Sequence, residues 1–233
     1  MRRAVGDRVL LNVDCGELPE EDDELLGLAD LLHIACGGHA GDEGSMRRAM
    51  RRALGHGARI GAHPSHVDRE GFGRRALDVA PATLRRQVRA QCEALRAIAE
   101  PQGAAITHVK LHGALYHAAT SDGAVAAATS DGAIEALGQV TLVGAPGGEL
   151  EVWASRQGLP FLAEGFADRR TGPDGRLLPR AAPGAVVGDP GEARDIVRAL
   201  RGRVDTICVH ADTPRALEIA RAVREELCAP SAR

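Results

Sequence analysis

Short apolar runs alternate along the chain with longer stretches of helical spacing. The runs are Arg8–Asp14, Asp30–Cys36, Ala58–His63, Ile106–His112, Val140–Gly144, Pro160–Glu164 and Asp205–His210. They read as near-continuous hydrophobic segments, the pattern of parallel strands covered on both faces. Between them, Asp42 to His56 carries Met46, Met50, Ala53 and Leu54 at helical spacing. Pro81 to Glu100 likewise carries Leu84, Val88, Cys92, Leu95 and Ile98. Pro190–Leu200 and Pro214–Leu227 are predicted helices, each with Pro in its first turn. The pentapeptide Thr-Ser-Asp-Gly-Ala occurs at 120–124 and again at 129–133. That period is too short for a solenoid and reads as helix-capping chemistry.

Seven strand–helix units predict an α/β fold, a TIM-like (β/α) barrel of parallel strands, with a doubly wound open sheet as the alternative. No composition shift divides the sequence, so residues 1–233 read as one barrel domain. Arg169–Pro183, rich in Gly, Pro and Arg, reads as a flexible lid or binding loop.

Aromatic residues make up only 2% of the 233, so the core must be built from Ala, Leu, Val and Ile. That scarcity excludes stacking platforms for single-stranded nucleic acid. The net charge of −3 leaves no basic footprint for a nucleic-acid partner. No run approaches the ~20 apolar residues of a membrane helix. The N-terminal stretch leads into a strand ending at Asp14 rather than a cleavage site, so neither a membrane partner nor a secretory leader is expected. Five cysteines form no CxxC pair, which fits reduced, buried thiols in a cytoplasmic protein.

The polar residues fall at informative places. The first strand ends at Asp14, with Glu17 just beyond; the second leads into Gly37-Gly-His-Ala-Gly-Asp42, which holds His39 and Asp42. The third ends in His63-Pro-Ser-His66, and the fourth carries Lys110 and His112. The sixth ends in Glu164 and runs on to Asp168, Arg169 and Arg170; the seventh ends in His210 and Asp212. In a β/α barrel all strand C-termini open on one face, where active sites sit.

Each cluster also has a plainer reading. Asp14 and Glu17 could complement a helix dipole, and the glycine-rich segment could be turn chemistry. His63 and His66 have metal-ligand spacing, and Asp14, His112 and His210 could complete a transition-metal site. The same histidines could instead act as acid–base groups. Lys110, inside an apolar strand, needs a carboxylate such as Asp14 or Glu164, or an anionic ligand. Arg169 and Arg170 are solvated charges or recognise carboxylate or phosphate. Walker-type GxxxxGK[ST], strand-linked GxGxxG and GxSxG motifs are absent.

Several longer motifs carry a family resemblance. Leu11-Asn-Val-Asp-Cys-Gly-Glu17, His33-Ile-Ala-Cys-Gly-Gly-His-Ala-Gly-Asp42, Ile60-Gly-Ala-His-Pro64 and Gly71-Phe-Gly-Arg-Arg75 occur in that order. His108-Val-Lys-Leu-His-Gly-Ala-Leu-Tyr116, Glu164-Gly-Phe-Ala-Asp-Arg-Arg170 and Cys208-Val-His-Ala-Asp212 follow. Together they resemble the LamB/YcsF family of 5-oxoprolinase A subunits over almost the whole chain. The resemblance implies a barrel related to polysaccharide deacetylase and glycosidase barrels. It also implies an ATP-dependent opening of 5-oxoproline to L-glutamate, with partner subunits B and C; a homo-oligomer is compatible with it. The chain departs from the family pattern at Gly38 (usually Phe), Ser65-His-Val67 (Gly-Tyr-Pro), Leu111 (Pro), His117 (Asn), Thr171 (Tyr) and Ala211 (Gly).

Under that resemblance, Lys110, Arg169 and Arg170 serve phosphate and developing negative charge. Asp14 or Glu17 activates water or holds Mg²⁺, and His63 or His112 moves a proton. His39, Asp42, Glu164, Asp168, His210 and Asp212 are assigned to substrate or phosphate binding. Asp14, His63 and His112 are the metal candidates, with the ion unidentified. Two other readings stand beside this one: a metal-dependent amidohydrolase or deacetylase using Asp14, His63 and His66, and a non-catalytic substrate-binding subunit.

Overall fold

The structure, a computed structural model, describes residues 8–172 and 176–229. Seven parallel strands close into a barrel in chain order. They are β1 (Leu10–Cys15), β2 (Leu31–Ala35), β3 (Arg59–His63), β4 (Ile106–Lys110), β5 (Thr141–Gly144), β6 (Phe161–Phe166) and β7 (Thr206–His210). β1 pairs with both β2 and β7, which rules out the open doubly wound sheet. Helices α1 (Asp23–Gly27), α2 (Glu43–His56), α3 (Pro81–Ala99), α4 (Gly113–Ser121), α5 (Gly123–Leu137), α6 (Glu149–Gln157), α7 (Pro190–Leu200) and α8 (Ala216–Cys228) fill the connections. Among the described residues, no helix is long and apolar enough to cross a membrane.

Local chemistry explains the helix starts. Asp22, Asp42, Asp122 and Asp189 each cap a helix by accepting backbone N–H groups. The first Thr-Ser-Asp-Gly-Ala copy supplies the Asp122 cap. The second lies inside α5, where Thr129 Oγ1 donates back to the Val125 carbonyl at 2.8 Å. There Gly132 lies against the Arg85 carbonyl, so that α3 and α5 approach closely; a Cβ would overlap that backbone. One pentapeptide thus serves as a cap and as a helix-packing surface. Pro214 does not open α8 as expected: it lies in the preceding turn, and Arg215, at φ +61°, precedes the helix. β4 ends at Lys110 rather than His112, which occupies the N-cap position of α4.

The strands are buried on both faces, as their apolar runs suggested, but the two faces differ. Leu11, Val13, Leu32, Ile34, Ile60, Ala62, Val109, Leu142, Ile207 and Val209 face outward into one apolar shell shared with the helices. Leu31, Val143 and Leu162, with Leu10 against them, form a separate small cluster that plugs the inside of the barrel. Above that plug the interior is polar. The runs that read as continuous apolar strands therefore hide an alternation, because a strand sends successive side chains to opposite faces.

Arg169–Pro183 is tied back on itself. Arg169 bridges Val186 and Thr171 bridges Leu177, and the Leu178 N–H donates to the Arg170 carbonyl at 2.9 Å. Residues 173–175 of that loop lie outside the described residues. Of the five thiols, Cys15, Cys36, Cys92 and Cys208 are buried and free; Cys228, at the end of α8, is exposed.

Candidate active site

Lys110 organises the barrel interior. It projects from β4 across the lumen to residues on three other strands. Its Nζ lies 3.0 Å from Asp14 Oδ2, 2.8 Å from Glu164 Oε1, 3.2 Å from Asn12 Oδ1 and 3.1 Å from Cys208 Sγ. Burial disfavours the ammonium, but Asp14, Cys208 and Glu164 more than offset it and hold the Lys110 pKa well above its usual value. Asp14 mirrors this. Burial pushes its carboxyl up, and the neighbouring His63 and Lys110 bring it well below the ordinary range. Lys110 is thus committed to two buried carboxylates.

Asp14 leads to a histidine-rich corner. His33 Nδ1 lies 3.0 Å from Asp14 Oδ1, and His63 Nε2 lies 3.4 Å from Asp14 Oδ2. His63 Nε2 is 3.0 Å from His112 Nδ1, which is 3.1 Å from Glu17 Oε1. His39 Nε2 reaches the same Glu17 oxygen at 2.8 Å, and the His39 ring stacks on His112 at 3.6 Å. Phe72 packs its edge against both rings. Gly61 makes room lower down, since a Cβ there would overlap the His108 ring. Burial pushes His63 well below its ordinary pKa, against the pull of Asp14.

On the far side, Asp168 holds His210. Both Asp168 oxygens lie 3.0 Å from His210 Nδ1, and the Thr213 hydroxyl donates to Oδ2 at 2.6 Å. Burial works against a charged His210, but Asp168 outweighs it and raises the pKa. Phe166 stacks on the His210 ring. Beside this pair stands Arg169, which is 8% exposed and donates to the Leu178 carbonyl at 2.7 Å. Its Nε has no hydrogen-bond partner, and no carboxylate among the described residues lies within ion-pair distance of it. Burial and the nearby Arg180 lower its pKa.

Not every expected residue joins these groups. Asp42 is spent on capping α2, accepting the Ser45 N–H at 2.8 Å. Arg170 pairs with Glu192 at 2.6 Å. Asp212 bridges Arg74 and Arg180. His66 enters neither group of metal-capable side chains among the described residues: one is Glu17, His39, His63 and His112, the other Asp14, Cys208 and His210. Asp14 Oδ2 stays 3.4 Å from His63 Nε2 while Asp14 also meets Lys110 and His33, and Glu17 joins His39, His63 and His112 in the first group. Sequence reading missed Asn12, His33, His108 and Cys208. Their signal was position: each lies two residues from an expected inward residue on its own strand or in register with one on the next.

Two of the departures from the family pattern, Gly38 and Ser65, meet in space. A Cβ at Gly38 would overlap Ser65 Oγ and the Gln91 amide, and Gln91 brackets Ser65 through both backbone groups. The side chains at 65 and 91 thus occupy the space a larger residue 38 would need. Beside them, an open cleft of about 360 Å³ runs along α3, lined by Cys36, Gly37, Val67 and Gln91 among others.

Comparison with known proteins bears on this arrangement. The chain is 40% identical to a protein of Nocardia farcinica named as the A subunit of 5-oxoprolinase, over 94% of this chain and 95% of that one. It is 42% identical to the protein of the same name from Streptomyces griseus, over 93% and 94%. The crystal structure of a lactam utilization protein from Thermus thermophilus superposes with a TM-score of 0.84 at 37% identity, covering 94% of this chain and 96% of that one. A family 4 carbohydrate esterase from Streptomyces lividans shares the fold, with a TM-score of 0.55 at 11% identity, covering 94% and 87%. The LamB/YcsF family profile matches residues 9–233, and the chain belongs to that family.

Proposed function

We propose that this chain is the A subunit of an ATP-dependent 5-oxoprolinase and acts with partner subunits B and C. In this reading the barrel mouth takes 5-oxoproline and its lactam is opened to L-glutamate, with ATP converted to ADP and phosphate. The names of the relatives support the substrate class. The observation that carries the reading for this chain is the buried Arg169 guanidinium, without a carboxylate partner among the described residues, beside the Asp168–His210 pair. A buried cation with spare donors suits a small anionic substrate. An acid–base histidine next to it suits an amide that must lose its nitrogen.

The chemistry follows from amide resonance. Transfer of the γ-phosphoryl group to the lactam oxygen, with departure of ADP, makes the carbonyl carbon electrophilic. Water adds there, the C–N bond breaks and the nitrogen takes a proton, leaving an acyl phosphate that a second water hydrolyses. Arg169 would hold the substrate carboxylate. His210 Nε2 would supply the proton, with Asp168 fixing the ring through Nδ1. Lys110 serves as a positioning residue that holds Asp14 and Glu164, rather than as a phosphate ligand. Mg²⁺ would accompany the nucleotide in the assembled enzyme.

The test is glutamate release from 5-oxoproline with ADP followed in parallel, using this chain alone and then with both partner subunits, with and without ATP. ATP-coupled release only in the full mixture supports the reading. Binding of 5-oxoproline with no turnover in a verified assembly rejects it in favour of a role in binding alone. Arg169→Met should raise KM, and His210→Asn should lower kcat.

A further inference from the structure

The histidine corner contains a conflict that the proposed reaction does not explain. His63 Nδ1 lies 2.8 Å from the Lys110 carbonyl, so its proton sits on Nδ1 and Nε2 carries a lone pair. His112 Nε2 lies 3.0 Å from the Phe72 carbonyl, so its proton sits on Nε2 and Nδ1 carries a lone pair. Those two bare nitrogens face each other at 3.0 Å, and both approach the Glu17 carboxylate oxygen, at 3.5 and 3.1 Å. With both rings neutral, three electron-rich atoms converge there, and Asp14 Oδ2 adds a fourth 3.4 Å from His63 Nε2. The chain also supports the arrangement. Phe72 adopts a left-handed φ of +51°, a conformation uncommon for a non-glycine residue, and its carbonyl accepts from His112 Nε2. A histidine that donates its other N–H to a backbone carbonyl is the usual setting of a metal ligand.

We propose that Glu17 Oε1, His63 Nε2 and His112 Nδ1 form a site for one divalent transition-metal ion of the zinc class. Tetrahedral zinc with bonds of about 2.0–2.1 Å sets its donors about 3.3 Å apart, and the three separations here, 3.0, 3.1 and 3.5 Å, bracket that value. Two imidazoles and one carboxylate select a zinc-like ion over magnesium. His39 is a support rather than a fourth ligand. Its ring lies parallel to His112 within 3° at 3.6 Å, so an ion in the plane of one ring lies far outside the plane of the other. It holds Glu17 instead, and three protein donors leave a fourth position for water or substrate.

The inference does not rest on the lactam reading, because metal content is measured without turnover. The full chain, stripped with chelator, would be titrated with Zn²⁺ by calorimetry and with Co²⁺ by visible absorption, with circular dichroism to verify folding. One equivalent should bind, with the intense visible bands of tetrahedral Co²⁺. Glu17→Gln and His112→Gln should weaken Zn²⁺ binding by at least about 100-fold, and His39→Gln by about 10–100-fold. His66→Gln should leave it unchanged. Absence of stoichiometric binding by the wild-type chain would overturn the site, as would ¹⁵N spectra of the zinc-treated protein showing a proton retained between His63 and His112. Binding that survives in a folded Glu17→Gln, His112→Gln double variant would overturn it equally.

Discussion

The two sides of the barrel wall are built on opposite principles. Outward-facing Leu11, Val13, Leu32 and Ile34 meet the helices in an apolar shell. One residue along the same strands, Asn12, Asp14 and His33 face inward into a polar lumen with Lys110 and Glu164. The outer side stabilises by removing apolar surface from water, which needs no precise partner. The inner side holds buried charge, which is tolerated only when each group meets its counterpart. Stability and chemistry are thereby separated by a single peptide layer.

The largest effect should come from breaking the inner side. Lys110→Met leaves Asp14 and Glu164 buried without their cation and should cost about 3–5 kcal/mol in urea unfolding. The geometry predicts loss of turnover together with this stability. Adding Asp14→Asn and Glu164→Gln should recover part of the stability but none of the activity. A loss under about 1 kcal/mol for the single variant would show that the lumen does not depend on this pairing.

The outer side should fail differently. Leu32→Ala, in the shell, should cost about 2–5 kcal/mol, while turnover per folded molecule, assayed well below the unfolding temperature, stays unchanged. Gly61→Ala sharpens the contrast because it acts on the inner face by volume alone. Its methyl group would press on the His108 ring, an overpacking cost of about 1–3 kcal/mol.

The smallest effect is the pH response at the rim. His210 has a raised pKa, so its contribution is complete below about 6.5 and is lost as pH rises through the folded value. Asp168 has a lowered pKa, so its contribution is present above about 3.9 and is lost as pH falls through the folded value. Their joint support is therefore fullest between those limits. Melting temperature against pH should show this window in the wild type and lose its alkaline edge in His210→Asn. NMR titration should place His210 above 6.5, and Asp168→Asn should lower it. An unmoved His210 titration would separate the pair.

Much of the architecture was legible. Each apolar run became a strand within a few residues of its expected ends, and Asp42 and Pro190 mark helix starts where local capping and proline rules place them. Such features depend on neighbours in sequence. The site was legible as a face, through polar residues at strand ends, but not as a set of contacts. Asp42 and Arg170 carried the same apparent promise as Glu17 and His39, yet a cap and a Glu192 ion pair absorb them. His33 and His108 lie in family motifs but were not named as site residues, because each sits inside an apolar run.

The sequence by itself determined the succession of strands along the chain, helix starts such as Asp42 and Pro190, and the family. Only the tertiary structure decided that Lys110 meets Asp14, 96 positions away, and that His63 meets His112, 49 positions away. Periodicity and capping act over a few residues, so they can be read along the chain. Barrel closure and strand register bring distant side chains within hydrogen-bond distance, and a shift of one residue in register would turn each of them to the opposite face.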